Sequence, residues 1–200
     1  MMPRLFAYHQ FKNFLDQTTL IDLLDFTLKN EANYELSKIA KRGHKAIDLA
    51  QRKSLTSFEL GDFKGLFINQ INEHCSELFH CLSMAPFSIK KYEFQLSAHG
   101  DGAFFKQHID TAAHKADGES SRAISMVFYY YSEPKGFEGG ELVIHPLPFL
   151  PGHDQPVIIS PLNNSLVAFP SMAPHEVLPV STNRSVFDHY RFSVNCWLHK

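Results

Sequence analysis

Ile89-Lys90-Lys91-Tyr92-Glu93-Phe94-Gln95-Leu96 is the stretch at which the chain changes period. Tyr92, Phe94 and Leu96 alternate with polar neighbours, a two-residue repeat that belongs to a strand with one face buried. Toward the C-terminus, short runs of the same kind recur at 104–110, 123–131, 141–145, 157–160, 165–169, 176–180 and 190–198. They are rich in β-branched and aromatic residues, and clusters of Gly, Pro, Asn or Asp separate most of them. Eight strands without crossover helices predict a double-sheet jelly roll rather than a parallel sheet.

Toward the N-terminus the period lengthens. Leu15, Leu20, Leu23, Leu24 and Leu28 recur at helical spacing, with Asp16 placed as a cap. Phe67, Ile71, Leu78 and Leu82 predict a second helix that breaks before Pro86. The more polar residues 31–52 between them read as helix plus loop. The expectation is a mainly β protein with N-terminal helices: residues 1–91 as a mostly helical support region and 92–200 as the β core, in one compact unit. Residues 114–121 read as a polar loop and 146–156 as a proline-rich connection, and no internal repeat is present.

Composition narrows the function classes. With 44% hydrophobic and 20% charged residues over 200 positions, the chain can bury an ordinary globular core. The net charge of -2 and the lack of a Lys/Arg-rich block argue against nucleic-acid binding. Residues 38–53 mix signs and read as a solvated helix face. Cys75, Cys81 and Cys196, with no C-x-x-C among them, fit reduced thiols better than a disulfide framework or a cysteine zinc site. The first ten residues lack the apolar run of a signal peptide, and no apolar stretch is long enough to span a bilayer. A cytoplasmic protein without a membrane partner is expected.

Phe104-Phe105-Lys106-Gln107-His108-Ile109-Asp110 carries the chemistry. On a strand, His108 and Asp110 point to the same side and can reach one ion. His175, which opens the run Glu176-Val177-Leu178-Pro179-Val180, is the natural third ligand. Two imidazoles and one carboxylate on one octahedral face leave three positions open, the ligand set of non-heme Fe(II) oxygenases. A His-x-Asp alone in a chain with 12 histidines carries little, since it also makes an ordinary structural hydrogen bond. Its ordered company carries more: Gly139-Gly140-Glu141-Leu142, then His175 with its strand, then Arg191-Phe192-Ser193 before Trp197.

Taken together, residues 92–197 resemble the prolyl 4-hydroxylase-like branch of the Fe(II)/2-oxoglutarate-dependent oxygenases. The matching pieces are 102–111, 122–131, 139–142 and 175–180 with Arg191. The resemblance implies a double-stranded β-helix core and a dioxygenase that binds Fe(II), 2-oxoglutarate and O2, with His108, Asp110 and His175 as catalytic metal ligands and ascorbate supporting activity. It further implies hydroxylation of a protein, peptide or small-molecule substrate, a prolyl residue among the candidates, with 2-oxoglutarate converted to succinate and CO2. Related halogenases leave the carboxylate position empty for chloride, so an intact Asp110 favours hydroxylation. The chain departs from the family at His99, where a Tyr is common, and in a longer interval from His175 to the cosubstrate arginine.

The distal carboxylate of 2-oxoglutarate calls for a guanidinium. Arg184 falls within Ser181-Thr182-Asn183-Arg184-Ser185, which reads as a turn. Arg191 starts an alternating strand whose same-face residues are Ser193, Asn195 and Trp197, so Arg191 with Ser193 is the preferred clamp. Tyr129, Tyr130 and Tyr131 alternate across a strand, one face of which can line the same pocket. The rival readings are a cupin-like metal-binding jelly roll, in which Arg191 would have no task, a sensor with little turnover, or a small-molecule hydroxylase.

Overall fold

A computed structural model of the chain describes residues 6–41, 44–111, 121–147 and 155–200. In chain order they form β1 (His9–Lys12), α1 (Gln17–Lys29), β2 (Glu35–Leu36), β3 (Ile39–Lys41), β4 (His44–Ala46), β5 (Arg52–Lys53), β6 (Leu55–Ser57), α2 (Phe63–Glu73) and α3 (Cys75–Cys81). The strand-rich remainder is β7 (Lys91–His99), β8 (Phe104–His108), β9 (Arg122–Tyr130), β10 (Phe137–Gly139), β11 (Leu142–Ile144), β12 (Val157–Ile159), β13 (Ser165–Pro170), β14 (His175–Val177), β15 (Val180–Thr182) and β16 (Arg191–His199).

The strands pair antiparallel into a seven-stranded sheet, β1-β13-β9-β16-β7-β6-β2, and a five-stranded sheet, β12-β11-β14-β8-β5. Tyr129, Val167 and Phe169 from the larger sheet pack with Leu142, Ile144 and Ile159 from the smaller one, which is the jelly-roll sandwich that the alternation predicts. The helices cover the other face of the larger sheet. Leu20, Leu23, Phe67, Ile71 and Leu78 share one buried cluster with Phe94, Phe128, Leu166, Phe192 and Leu198. Asp16 caps α1 as expected: one carboxylate oxygen accepts from the Thr19 amide at 3.0 Å and the other from its hydroxyl at 2.6 Å, a cap worth about 1 kcal/mol. No helix among the described residues is long and apolar enough to cross a membrane.

The structure departs from the sequence reading in several places; the strand read over 104–110, for one, ends at His108, so Asp110 lies beyond it. Residues 31–52 are a 3-10 turn and short strands rather than helix plus loop. Their partners are remote, Glu35 opposite Thr56 and Arg52 opposite Phe105, so no local pattern announces them. The second helix divides at His74 into α2 and α3, with neither Gly nor Pro to mark the break. The run 176–180 is two strands, because Pro179 cannot donate to a ladder: β14 pairs with β8 and β11, and β15 with β10. The loop 114–121 and the connection 146–156 lie largely outside the described residues.

Candidate active site

Period-two alternation on three adjacent strands sorts the larger sheet into two faces. Phe94, Leu96 and Ala98 of β7, Ile124, Met126, Phe128 and Tyr130 of β9, and Phe192, Val194, Cys196 and Leu198 of β16 face the helices. The intervening residues, among them Gln95, Ser97, His99, Ser125, Tyr129, Arg191, Ser193 and Trp197, line a cavity between the sheets. One face is thus apolar packing and the other a chemical surface.

The smaller sheet closes that cavity with the three expected ligands. His175, at the start of β14, stands opposite His108, at the end of β8. Asp110 lies two residues beyond β8, where its amide donates to the Ser171 carbonyl at 3.0 Å. The ligand atoms of His108, Asp110 and His175 all lie within 4.8 Å of one another. The Nε2 atoms of His108 and His175 stand 3.7 and 3.6 Å from the Asp110 carboxylate. Those gaps exceed a hydrogen bond, while atoms each ~2.1 Å from a common ion can stand up to ~4.2 Å apart.

Neighbouring groups set the state of each ligand. The Nδ1 atoms of His108 and His175 each lie 2.9 Å from a backbone carbonyl, of Lys106 and Ala173. A carbonyl only accepts, so Nδ1 carries the proton and Nε2 presents a lone pair toward Asp110. Burial and the adjacent His175 push His108 well below its ordinary value, which favours the neutral, ligating imidazole. Burial pushes the Asp110 carboxyl up, but His175, His108 and hydrogen bonds from Ser125 and Trp197 outweigh it and hold it below the usual carboxylate range. Ser125 Oγ donates to Asp110 Oδ2 at 2.6 Å and Trp197 Nε1 donates to the same oxygen at 2.8 Å, which fixes the carboxylate. Ser171 Oγ, 2.9 Å from Ser125 Oγ, completes the buttress.

At the far end of the cavity lies Arg191, only 1% exposed. Its guanidinium lies over the Tyr129 ring, 4.6 Å from the centroid, and Nη1 is 3.3 Å from His99 Nδ1. Burial pushes His99 well below its ordinary value, and the cations Arg191 and Arg52 push it further. His99 is therefore neutral, with Nδ1 accepting from Arg191 and the proton on Nε2. Arg191 Nε, Tyr129 Oη and His99 Nε2 are all buried without a hydrogen-bond partner. No carboxylate among the described residues pairs with Arg191, and burial lowers its pKa. A buried guanidinium with no carboxylate partner, its Nε unsatisfied, beside two unpartnered donors is a receptor for an anion. Gly140 leaves room for it: φ is +73°, and an added Cβ would stand 2.6 Å from Arg191 Cδ.

Arg52 is a second buried cation, and the reading of 38–53 as a solvated face fails there. The residue is 7% exposed, with Nε donating to Ser54 Oγ at 2.8 Å and Nη2 to Gln95 and Ser97, each at 3.2 Å. Burial pushes its pKa down to about 10, partly offset by Asp110. It lines both the inner cavity and an outer groove of about 1060 Å3 that opens past His108 and Asp110. One wall of that groove is a polar relay. Arg122 lies over the Trp197 ring at 3.9 Å and donates to both Glu93 carboxylate oxygens at 2.5 and 3.0 Å, and His199 Nε2 lies 2.9 Å from Glu93 Oε2. Leu36, Ile39 and Phe58, from the N-terminal strands and the loop after β6, and Ile109 add apolar lining.

The metal-ligand and cosubstrate candidates singled out from the sequence all fall within the described residues. His108, Asp110 and His175 converge, and Arg191 and Ser193 line the same cavity, Ser193 1% exposed. Arg184 is exposed between β15 and β16. Sequence reasoning missed Arg52, Ser125 and the pairing of His99 with Arg191. Strand alternation would have found Ser125 and His99; nothing local marks Arg52.

The model of the 2OG-Fe(II) oxygenase superfamily matches residues 94–199. Over 198 residues the chain is 32% identical to an uncharacterized PKHD-type hydroxylase of Synechocystis sp., covering 97% of this chain and 63% of that protein, so it spans less than two thirds of the relative's length. A prolyl-4-hydroxylase of Pseudomonas putida matches in structure with a TM-score of 0.68 at 18% identity, over 98% of this chain and 94% of that one. A prolyl hydroxylase of Trichoplax adhaerens, solved with a hypoxia inducible factor oxygen degradation domain peptide fragment, matches with a TM-score of 0.67 at 19% identity, over 96% of this chain and 83% of that one. At those identities the structural likeness speaks for the fold, and the sequence match speaks for the family. The chain belongs to the 2OG-Fe(II) oxygenase superfamily.

Proposed function

We propose that this protein is an Fe(II)- and 2-oxoglutarate-dependent hydroxylase in which His108, Asp110 and His175 hold the iron and Arg191, beside Ser193, anchors the cosubstrate. The observation that carries this reading is the pairing of two unmet needs in one cavity. Two Nε2 lone pairs and an ionised carboxylate face a gap of ion size at one end, and a buried cation lacks an anion at the other. A 2-oxo dicarboxylate answers both. A metal-binding jelly roll without that cosubstrate leaves Arg191 unexplained.

Bound iron and 2-oxoglutarate supply O2 activation, coupled to release of succinate and CO2, and an oxygen atom for a substrate C–H bond. The chain's own residues do the rest. Lys106 and Ala173 carbonyls lock the imidazole tautomers, Ser125 and Trp197 aim the Asp110 carboxylate, and Arg191, Tyr129 and His99 hold the distal carboxylate away from water. Residues 92–200 form the catalytic core, and 1–91 support it and supply one wall of the outer groove.

For the substrate we infer a peptidyl residue, a prolyl residue first among them. A groove of about 1060 Å3 lies at the upper end of small-ligand sites and suits an extended chain. The structural relative from Trichoplax holds a peptide fragment. Purified protein given Fe(II), ascorbate and 2-oxoglutarate should release succinate, and a peptide library screened by mass spectrometry should gain one oxygen. His108→Ala and His175→Ala should abolish both. Succinate release that survives these substitutions refutes the metal assignment, and oxidation of free metabolites with every peptide ignored refutes the substrate class.

A further inference from the structure

A second set of metal-ligating groups lies on the helical side of the molecule. His9 opens β1, the outermost strand of the larger sheet, and α3 carries Glu77 and Cys81 one turn apart on the same face. One ligand atom from each, a ring nitrogen, a carboxylate oxygen and the thiol sulfur, can be chosen so that all lie within 4.8 Å of one another. His9 Nε2 stands 3.7 Å from Glu77 Oε1. As at the His108 cluster, that is too far for a hydrogen bond and within the span of two ligands on one ion. The Phe11 ring meets the His9 imidazole edge-on at 4.4 Å and fixes its plane. None of the three side chains takes part in the active site, and Cys81 is a free thiol.

We propose that His9, Glu77 and Cys81 form a second divalent-metal site selective for zinc. The missing C-x-x-C excludes an all-cysteine site, but these ligands come from two elements and need no such spacing. The donor set sorts the metals: a thiolate with an imidazole favours zinc over magnesium, calcium or manganese. The set at His108, Asp110 and His175 contains no sulfur, so the two sites differ in preference. Three protein ligands leave a fourth, tetrahedral position to water, and the 32% and 55% exposure of the His9 and Glu77 side chains keeps that position open to solvent. Binding forms a zinc–sulfur bond and releases the thiol proton to solvent. The ion ties β1 to the last helix packed on the sheet, and the open position makes it exchangeable.

The test uses Co2+ as a spectroscopic probe and Zn2+ for stoichiometry on the full chain. Co2+ should give a near-ultraviolet thiolate-to-cobalt band that persists in the His108→Ala/His175→Ala variant. The band should be lost in Cys81→Ser and retained in Cys75→Ser. His9→Gln and Glu77→Gln should weaken Co2+ binding at least roughly 10-fold, the lower end of what even outer-shell changes cost. Wild-type protein should retain two equivalents of Zn2+ and Cys81→Ser one, with circular dichroism confirming the fold. Because Cys81 is remote from the catalytic cavity, Cys81→Ser should leave succinate release at its wild-type level. Absence of the band at saturating Co2+ overturns the proposal, as does a band that survives Cys81→Ser.

Discussion

Replacing Arg191 with Met should move two observables in opposite directions. The guanidinium is 1% exposed and makes no ion pair among the described residues, so in the cosubstrate-free protein burial outweighs the help it receives from Tyr129 and the more distant Glu141. Swapping a buried ionic group for an apolar one of similar length stabilises by on the order of 1–4 kcal/mol in favourable cases. For a chain of 200 residues each kcal/mol raises Tm by about 2–4 °C. The same change should remove the response to 2-oxoglutarate. At one hundred times its Kd a ligand stabilises by about 2.7 kcal/mol, or roughly 5–10 °C here. Losing a desolvated charge pair costs about 2–5 kcal/mol of binding, a 30-fold or greater loss of affinity, and leaves less than about 1 kcal/mol of stabilisation at the same concentration. Thermal melts of metal-loaded protein under nitrogen, with and without 2-oxoglutarate, read both quantities. Arg184→Met, at an exposed position, should change neither. A full 2-oxoglutarate shift in the Arg191 variant, or its loss in the Arg184 variant, refutes the anchor. A lower Tm for ligand-free Arg191→Met would mean that the protein itself already satisfies the cation.

Other perturbations probe the groups around that anchor. Burial, Arg191 and Arg52 hold His99 well below its ordinary value, so below pH ~6.5 the unfolded chain takes up a proton that the folded chain refuses. Its contribution is therefore intact above that pH and lost on acidification below it; urea melts of metal-free His99→Gln should show a flatter profile of stability against pH between pH ~7.5 and ~5.5. Gly140→Ala puts a side chain at φ +73° and 2.6 Å from Arg191 Cδ, so it should cost about 1–2 kcal/mol of stability and raise the apparent 2-oxoglutarate constant; an unchanged constant refutes the contact. Ser125→Ala removes the 2.6 Å hydrogen bond to Asp110 and should weaken metal affinity about 10–100-fold by equilibrium titration, with the fold intact.

The sequence was most legible where function follows strand alternation. Arg191, Ser193, Asn195 and Trp197 share a face because β16 is regular over nine residues, and its register against β7 and β9 preserves that face. His108 and His175 were legible as candidate ligands, and their juxtaposition follows from the β8–β14 ladder. Legibility ended where pairing is short and remote. Arg52 sits on a two-residue strand whose partner among the described residues, β8, lies far along the chain, so its burial is a property of the assembled sandwich and not of its neighbours. The division of 176–180 was available in principle, since Pro179 lacks the N–H that a continuous strand needs.

β1 has a consequence for the solubility of shortened forms. It pairs with β13 from His9 opposite Ala168 to Lys12 opposite Ser165, on the side away from β9. β13 is buried along nearly its whole length and reads Ser-Leu-Val-Ala-Phe-Pro. Deleting the first dozen residues would uncover a flat, uncharged edge with unpaired amides, the kind of surface on which one chain recruits another. The four residues of β1, ending in Lys12, thus act as a guard against self-association, and N-terminally trimmed protein should sediment as aggregates even though every catalytic side chain is retained.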